Sequence, residues 1–217
     1  MVRVARLPGV FRPLSDTWML AAAARRQARL RGGRVLDLCT GSGAVAITAA
    51  RAGARSVTAV DVSRRAVWTV RVNAALNGVR VDARRGDLFA AVGDERFDIV
   101  CANPPYLPAE DDEIPERGAA RHTEAGWSGR VLLDRIIADA PAHLLPGGVL
   151  LLIHSSVNGE GATLERMCAA GLEPDVAERR HGPLGPLLAA RAPLLEARGL
   201  LAPGERAEDL LVVRGVA

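Results

Sequence analysis

The sequence predicts an α/β protein built on one doubly wound, mostly parallel sheet of about seven strands with helices on both faces. Three observations predict it. Short apolar runs of strand character alternate with longer runs at helical spacing, as in chains of strand–helix–strand crossovers. The first strand-like run leads straight into Gly41-Ser42-Gly43 and then a helix. An acid, Asp61, closes the second strand-like run.

Taken in order, an N-terminal segment over residues 1–16 precedes a helix over 16–31. Strands are expected at 34–39 (RVLDLC), 56–61 (SVTAVD), 79–84 (VRVDAR), 97–102 (FDIVCA) and 147–153 (GGVLLLI), then near 174–179 and 209–214 (DLLVVR). Further helices fit 43–53, 63–77, 129–144 and 160–170. Ser63 is a good N-cap for its helix, and Asn77-Gly78 a good stop. Trp18 and Trp68 lie on these helices and read as core. Two segments break the alternation: a polar loop at 104–128 and a proline- and glycine-rich stretch at 181–205. Both are expected to shape a substrate site within a single domain spanning 1–217.

Composition narrows the classes. The chain has 217 residues, 49% apolar and 24% charged, which suits a globular protein with a proper core. All 28 basic residues are arginine, yet the net charge is only +3, a weak indication of polyanion binding. Cys39, Cys101 and Cys168 are isolated, which argues against structural zinc and a disulfide framework, and no metal is expected. No signal pattern and no apolar run of about 18 residues appear, so a cytoplasmic protein without a membrane association is expected.

The stretch VLDLCTGSGAVA at 35–46 places glycines where a strand turns into a helix. Glycine permits the sharp turn and close approach of a ligand, and the helix start offers free N–H groups. An acid at Asp61 suits ribose hydroxyls. This much indicates an adenosine cofactor and is compatible with NAD or with S-adenosylmethionine (SAM). Asp37 leans toward SAM: an acid inside a buried strand is costly unless paired, and a methionine ammonium would pair it. Asp87, in GDLF after the third strand, is placed to meet the adenine end or to serve as a plain turn acid.

In a doubly wound sheet the first and fourth strands are neighbours, so the Gly41 loop and CANPPY at 101–106 should face each other. The Asn103 oxygen and the Pro104 carbonyl are two acceptors for a planar –NH2 group. Pro105 stiffens the backbone that aims them, and Tyr106 offers a flat surface. Such a group, held beside a sulfonium methyl, could be methylated in line without a strong general base.

These motifs, Asp37…Gly41-Ser42-Gly43, Asp61, Asp87 and Asn103-Pro104-Pro105-Tyr106, resemble those of class I SAM-dependent methyltransferases, whose sheet is Rossmann-like. FRPLSDTWML at 11–20 is similar to a Pro-x-x-Asp-Thr segment of the HemK/PrmC family of protein-(glutamine-N5) methyltransferases. SGRVLLDRII at 128–137 and residues 194–215 fit its short, HemK2-like branch. The resemblance implies that Asp16 and Thr17 close over the methionine end of SAM and that Asp37 meets its amino group. Gly41 and Gly43 would underlie the cofactor, Asp61 would hold the ribose, and Asp87 with Leu88 would line the adenine. Cys39, Thr40 and Val62 would complete the cofactor contacts. Asn103 and the Pro104 carbonyl would hold a glutamine amide, in this family that of a release-factor Gly-Gly-Gln loop. His122 and Trp127 are candidate substrate contacts. Cys39 stands where relatives commonly carry glycine, and Trp127-Ser128 replaces the usual acid before Gly129-Arg130.

Three rivals stay open at this stage: an amino-methyltransferase acting on DNA or RNA, an N-methyltransferase of a small molecule or peptide, and a SAM-binding partner subunit without chemistry; an NAD-dependent dehydrogenase fails to explain residues 103–106. The acidic run at 110–113 speaks against a nucleic acid substrate. Eukaryotic relatives use an activating subunit; nothing in the sequence demands one.

Overall fold

The computed structural model describes residues 2–5, 7–110 and 123–217. His122 and residues 111–113 of the acidic run therefore lie outside the described residues. Seven strands form one sheet in the order β3-β2-β1-β4-β5-β7-β6. They are β1 (Arg34–Leu38), β2 (Ser56–Asp61), β3 (Asp82–Arg85), β4 (Phe97–Ala102), β5 (Leu144–Ser155), β6 (Glu173–Pro183) and β7 (Ala207–Val216). The first five run parallel, and β7 is antiparallel to both its neighbours. The helices are α1 (Ser15–Arg31), α2 (Ala44–Arg51), α3 (Arg64–Leu76), α4 (Val131–His143), α5 (Glu160–Ala169) and the short α6 (Pro186–Ala189) and α7 (Ala192–Ala197).

Period-two alternation sorts the central strands onto two faces. Val35, Ile99, Val149, Leu151 and Ile153 pack with Leu20, Ala24, Val45 and Val70 of α1, α2 and α3. Leu36, Leu38, Val100, Leu150 and Leu152 pack with Leu133, Ile136 and Ile137 of α4. Ser63 caps α3 by accepting from the Ala66 N–H, and Asn77 ends it. The third strand starts later than expected, because the Val79 N–H still bonds the Ala74 carbonyl and closes the helix end. Neither Trp18 nor Trp68 is core: both are exposed, and Arg71 covers the Trp68 ring.

The register puts the site in place. Leu38 stands opposite Ala102, so the loop after β1 and the turn after β4 leave adjacent strand ends side by side. The two irregular segments also meet. Leu107 pairs with Thr123 and Ala125, drawing the ends of the 104–128 loop together. Arg191 holds the Pro108 carbonyl and Glu124, and Arg198 holds the Ala109 and Trp127 carbonyls. Leu107, Leu184, Leu188 and Leu195 bury a small apolar cluster between them.

Candidate active site

Asp37 is on the α2 side of β1 and almost fully buried. Its Oδ2 accepts from the Thr40 hydroxyl (2.5 Å) and from the Ala46 N–H (3.1 Å), so the carboxylate braces the start of α2. Burial still dominates: it lifts the carboxyl to about 7, those two bonds oppose the rise, and the Asp61 charge adds to it. A cationic group reaching this acid would relieve it.

The turn that follows is strained in a useful way. Cys39 has a φ of 54°, the left-handed region that favours glycine, so a side-chain-bearing residue is held there in a backbone conformation that costs strain. Burial, then the Asp61 charge, pushes its thiol well up, so it stays protonated. Gly41 donates its N–H to Asp61 Oδ2 at 2.9 Å, and Ser63 donates to Oδ1 at 2.8 Å. Asp61 thus ties the β1 and β2 loops together at the end of the second strand.

A cavity of about 430 Å³ opens over these loops. Thr17, Asp37, Cys39, Thr40, Gly41, Asp61, Val62, Asp87, Leu88 and Asn103 all line it. Val10, Phe11, Arg12 and Pro13 of the N-terminal segment form its cover. Asn73 holds the main chain of Ala5, and Asn77 that of Arg3, each as donor and acceptor, which fixes that segment against α3. Leu88 also has positive φ, 46°. Asp87 pairs with Arg135 at 2.6 Å on the rim. Gly43 is not on the cavity wall: a Cβ there would sit 3.1 Å from Val70, so it serves the close packing of α2 on α3.

A second, smaller cavity of about 130 Å³ adjoins the first. Phe11, Asn103 and Pro105 belong to both walls. Asp16 lies on this second wall and not on the first, contrary to its expected place beside the cofactor. It is a hub. Its Oδ2 accepts from Asn103 Nδ2 (3.1 Å) and from the Tyr106 hydroxyl (3.2 Å), and its Oδ1 accepts from the Thr17 N–H (2.6 Å). A carboxylate only accepts, so it settles which end of the Asn103 amide is which. Nδ2 faces Asp16 and the Thr17 hydroxyl, and Oδ1 is left without a hydrogen-bond partner among the described residues. Burial, then the Asp16 charge, pushes the Tyr106 phenol well up, so it remains a donor. Pro104 is on the same wall.

Trp127 does not reach either cavity. It is half exposed, with the Arg198 guanidinium stacked 3.4 Å above its ring. Three further residues, Asn158, Arg130 of the 128–137 stretch and Glu208 of the 194–215 stretch, support or line the site. Asn158 donates to the Tyr106 carbonyl (2.7 Å) and the Ser128 carbonyl (3.1 Å). The nearly buried Arg130 holds the Asn158 and Gly159 carbonyls, Thr163 and Asp134. Glu208 lies on the second cavity's wall. Asn158 could have been sought at the C-terminal end of β5, where doubly wound sheets collect site residues; Glu208 carries no comparable signal. Among the described residues no cluster of His, Cys, Asp and Glu is arranged to hold a metal, and no helix is long and apolar enough to cross a membrane.

The family model for the methyltransferase small domain matches residues 2–117. A Methanocaldococcus jannaschii protein provisionally named as a protein N5-glutamine methyltransferase is 31% identical over 185 residues, 85% of this chain and 92% of its own length. A release factor glutamine methyltransferase of Bordetella pertussis is 36% identical over 73% of this chain but only 61% of its own length. Among solved structures, Mtq2 of E. cuniculi, in a complex with Trm112 that methylates the termination factor eRF1, superposes with a TM-score of 0.62. It is 25% identical, over 95% of this chain and 98% of that one.

Proposed function

This chain belongs to the methyltransferase small domain family, in its HemK/PrmC group of SAM-dependent glutamine methyltransferases, and from that membership we propose that it methylates the side-chain amide nitrogen of a protein glutamine. The observation that carries the reading is Asn103: it stands on the wall shared by the two cavities, with its Nδ2 held by Asp16 and its Oδ1 without a partner among the described residues. The larger cavity is the SAM site and the smaller one receives the acceptor.

SAM supplies an electrophilic methyl group on a sulfonium sulfur. Its ammonium would pair with Asp37 and its ribose hydroxyls with Asp61, while Leu88 and Asp87 flank the adenine. Asn103 Oδ1 and the Pro104 carbonyl accept the two N–H bonds of the incoming amide, and Pro105 and Asp16 hold these acceptors in place. That grip directs the nitrogen lone pair at the methyl carbon. Methyl transfer, with the C–S bonding electrons left on sulfur, would make the amide nitrogen positive, and Asn103 Oδ1 and the Pro104 carbonyl would then bind its hydrogens more tightly. One of these protons then leaves to water. Most of the acceleration comes from alignment, which supplies about 7–11 kcal/mol in well-oriented reactions.

The glutamine of a release-factor Gly-Gly-Gln loop is the proposed acceptor. Against a nucleic acid, the smaller cavity carries two buried carboxylates, Asp16 and Glu208, and no cationic side chain among the described residues of its wall. The E. cuniculi relative is complexed with Trm112; a partner of that kind would act on this chain from outside, because its own residues wall both cavities.

Labelled SAM with a Gly-Gly-Gln domain tests the reading, with mass spectrometry of the product locating the methyl. Asn103→Ala should bind SAM as before and lose turnover by about 3–4 kcal/mol, some hundred- to thousand-fold. Retained turnover in that variant would remove Asn103 from the chemistry. Asp61→Ala should do the reverse and mainly weaken SAM affinity; unchanged affinity in a titration would strike Asp61 from the cofactor site.

A further inference from the structure

Glu208 begins β7 with its neighbour Asp209 pointing the other way, toward Arg179 and His181. Its own side chain is 8% exposed and lies on the wall of the acceptor cavity. One oxygen, Oε1, accepts from the Gly185 N–H at 2.7 Å. The other, Oε2, is buried and has no hydrogen-bond partner among the described residues. Asp16, the second carboxylate on this wall, has both oxygens in use. A buried carboxylate oxygen without a donor is costly, and the cost is recovered when a donor arrives.

We propose that Glu208 Oε2 receives a main-chain N–H of the polypeptide segment that bears the methylated amide, and so selects a peptide over a free amide or a nucleobase. This rests on the reading that the acceptor is a protein glutamine. The cavity's size favours a main-chain donor. At about 130 Å³ it is on the scale of one glutamine side chain, and the main-chain N–H groups that adjoin that side chain are the nearest donors the same substrate brings. Phe11, Leu107 and Leu188 supply apolar wall, which strengthens a hydrogen bond made there.

Glu208→Gln tests this with little change of shape. Gly185 needs an acceptor, so the new amide must keep its oxygen there and turn its NH2 to where Oε2 was. A donor would then meet a donor. With a Gly-Gly-Gln domain as acceptor, KM should rise about tenfold or more, with kcat, SAM affinity and thermal midpoint near wild type. A second measurement leaves the enzyme intact: synthetic Gly-Gly-Gln peptides in which each amide N–H near the glutamine is replaced in turn by an ester oxygen. One such peptide should lose a similar factor with the wild type and nothing further with Glu208→Gln. An unchanged KM in the variant, or equal loss from every ester in both enzymes, overturns the role of Glu208 while leaving glutamine methylation standing. Label entering nucleic acid or a small metabolite overturns both. If a different polypeptide takes the label, the same two comparisons on that substrate decide the role of Glu208.

Discussion

Asp37 shows how one side chain can serve the fold and the ligand at once. It braces α2 through Thr40 and Ala46, yet burial holds its carboxyl near 7 when no cation is present. Binding of an ammonium beside it should bring that value back down and release a proton. The sign follows: below pH 7 the acid must lose its proton to bind, so SAM affinity should fall as pH drops, by about tenfold per unit. Isothermal titration at pH 5.5 and 7.5 measures it, and Asp37→Asn should bind weakly at both values with no slope between them. Asn103 and Tyr106 teach a related lesson. Their residue types are legible as an acceptor and a ring, but the orientation of the amide comes from Asp16, 87 positions earlier in the chain.

At the level of elements, the acceptor turn is locked to the segment leading into α4. Gly129 has a φ of 71°, and a Cβ there would stand 2.1 Å from the Tyr106 carbonyl oxygen and 2.6 Å from Asn158 Nδ2. Glycine is therefore required both by the backbone angle and by the bond that Asn158 makes to Tyr106. Gly129→Ala should cost about 2 kcal/mol or more in stability, through left-handed strain and displacement of the turn. Turnover should fall more than SAM affinity, because the disturbed contact reaches Tyr106 and not the Gly41 loop. Chemical denaturation and a SAM titration on the same variant separate the two effects; full stability with normal turnover would show that the turn accommodates a methyl group. The late insertion acts in the same way from the other side, since Arg191 and Arg198 grip the main chain of the 104–128 loop.

Across the whole molecule, the centre of the sheet carries a buried titratable group that the chemistry does not use. His154 on β5 is fully buried, with Nδ1 beside the Ser155 carbonyl and Nε2 without a partner among the described residues. Burial lowers its pKa to about 4. The folded protein therefore keeps it neutral while the unfolded chain protonates near 6.5, so its contribution is complete above about pH 6.5 and is lost as pH falls toward 4. Between pH 7 and pH 5 this amounts to about 2 kcal/mol. Urea unfolding of the wild type and His154→Leu at both pH values should show the wild type losing that much more than the variant; parallel losses would mean that His154 is not the group responsible.

The adjacency of β1 and β4, the places of the five long helices and the two facing loops were legible in the sequence, because local periodicity, turn chemistry and strand–helix–strand crossovers each act over short spans of chain; the insertion of antiparallel β7 between β5 and β6 was not. Asp37, Cys39, Thr40, Gly41, Asp61, Val62, Asp87, Leu88 and Asn103 on the larger cavity's wall were legible for the same reason, as they sit at or just after the ends of β1, β2, β3 and β4, whereas Val10 to Pro13 and Arg135 reach that wall only through the tertiary fold. What only the tertiary structure decided lies in contacts across long sequence separations. Asp16 lies on the wall of the smaller cavity and not of the larger one because α1 delivers it to Asn103 and Tyr106. Trp127 went to the surface because Arg198 from the late insertion meets its ring there. Asn158 and Glu208 entered the site because β5 and the antiparallel β7 end beside the turn after β4. No periodicity encodes such meetings; they follow from packing, which brings polar groups together only after the sheet has formed.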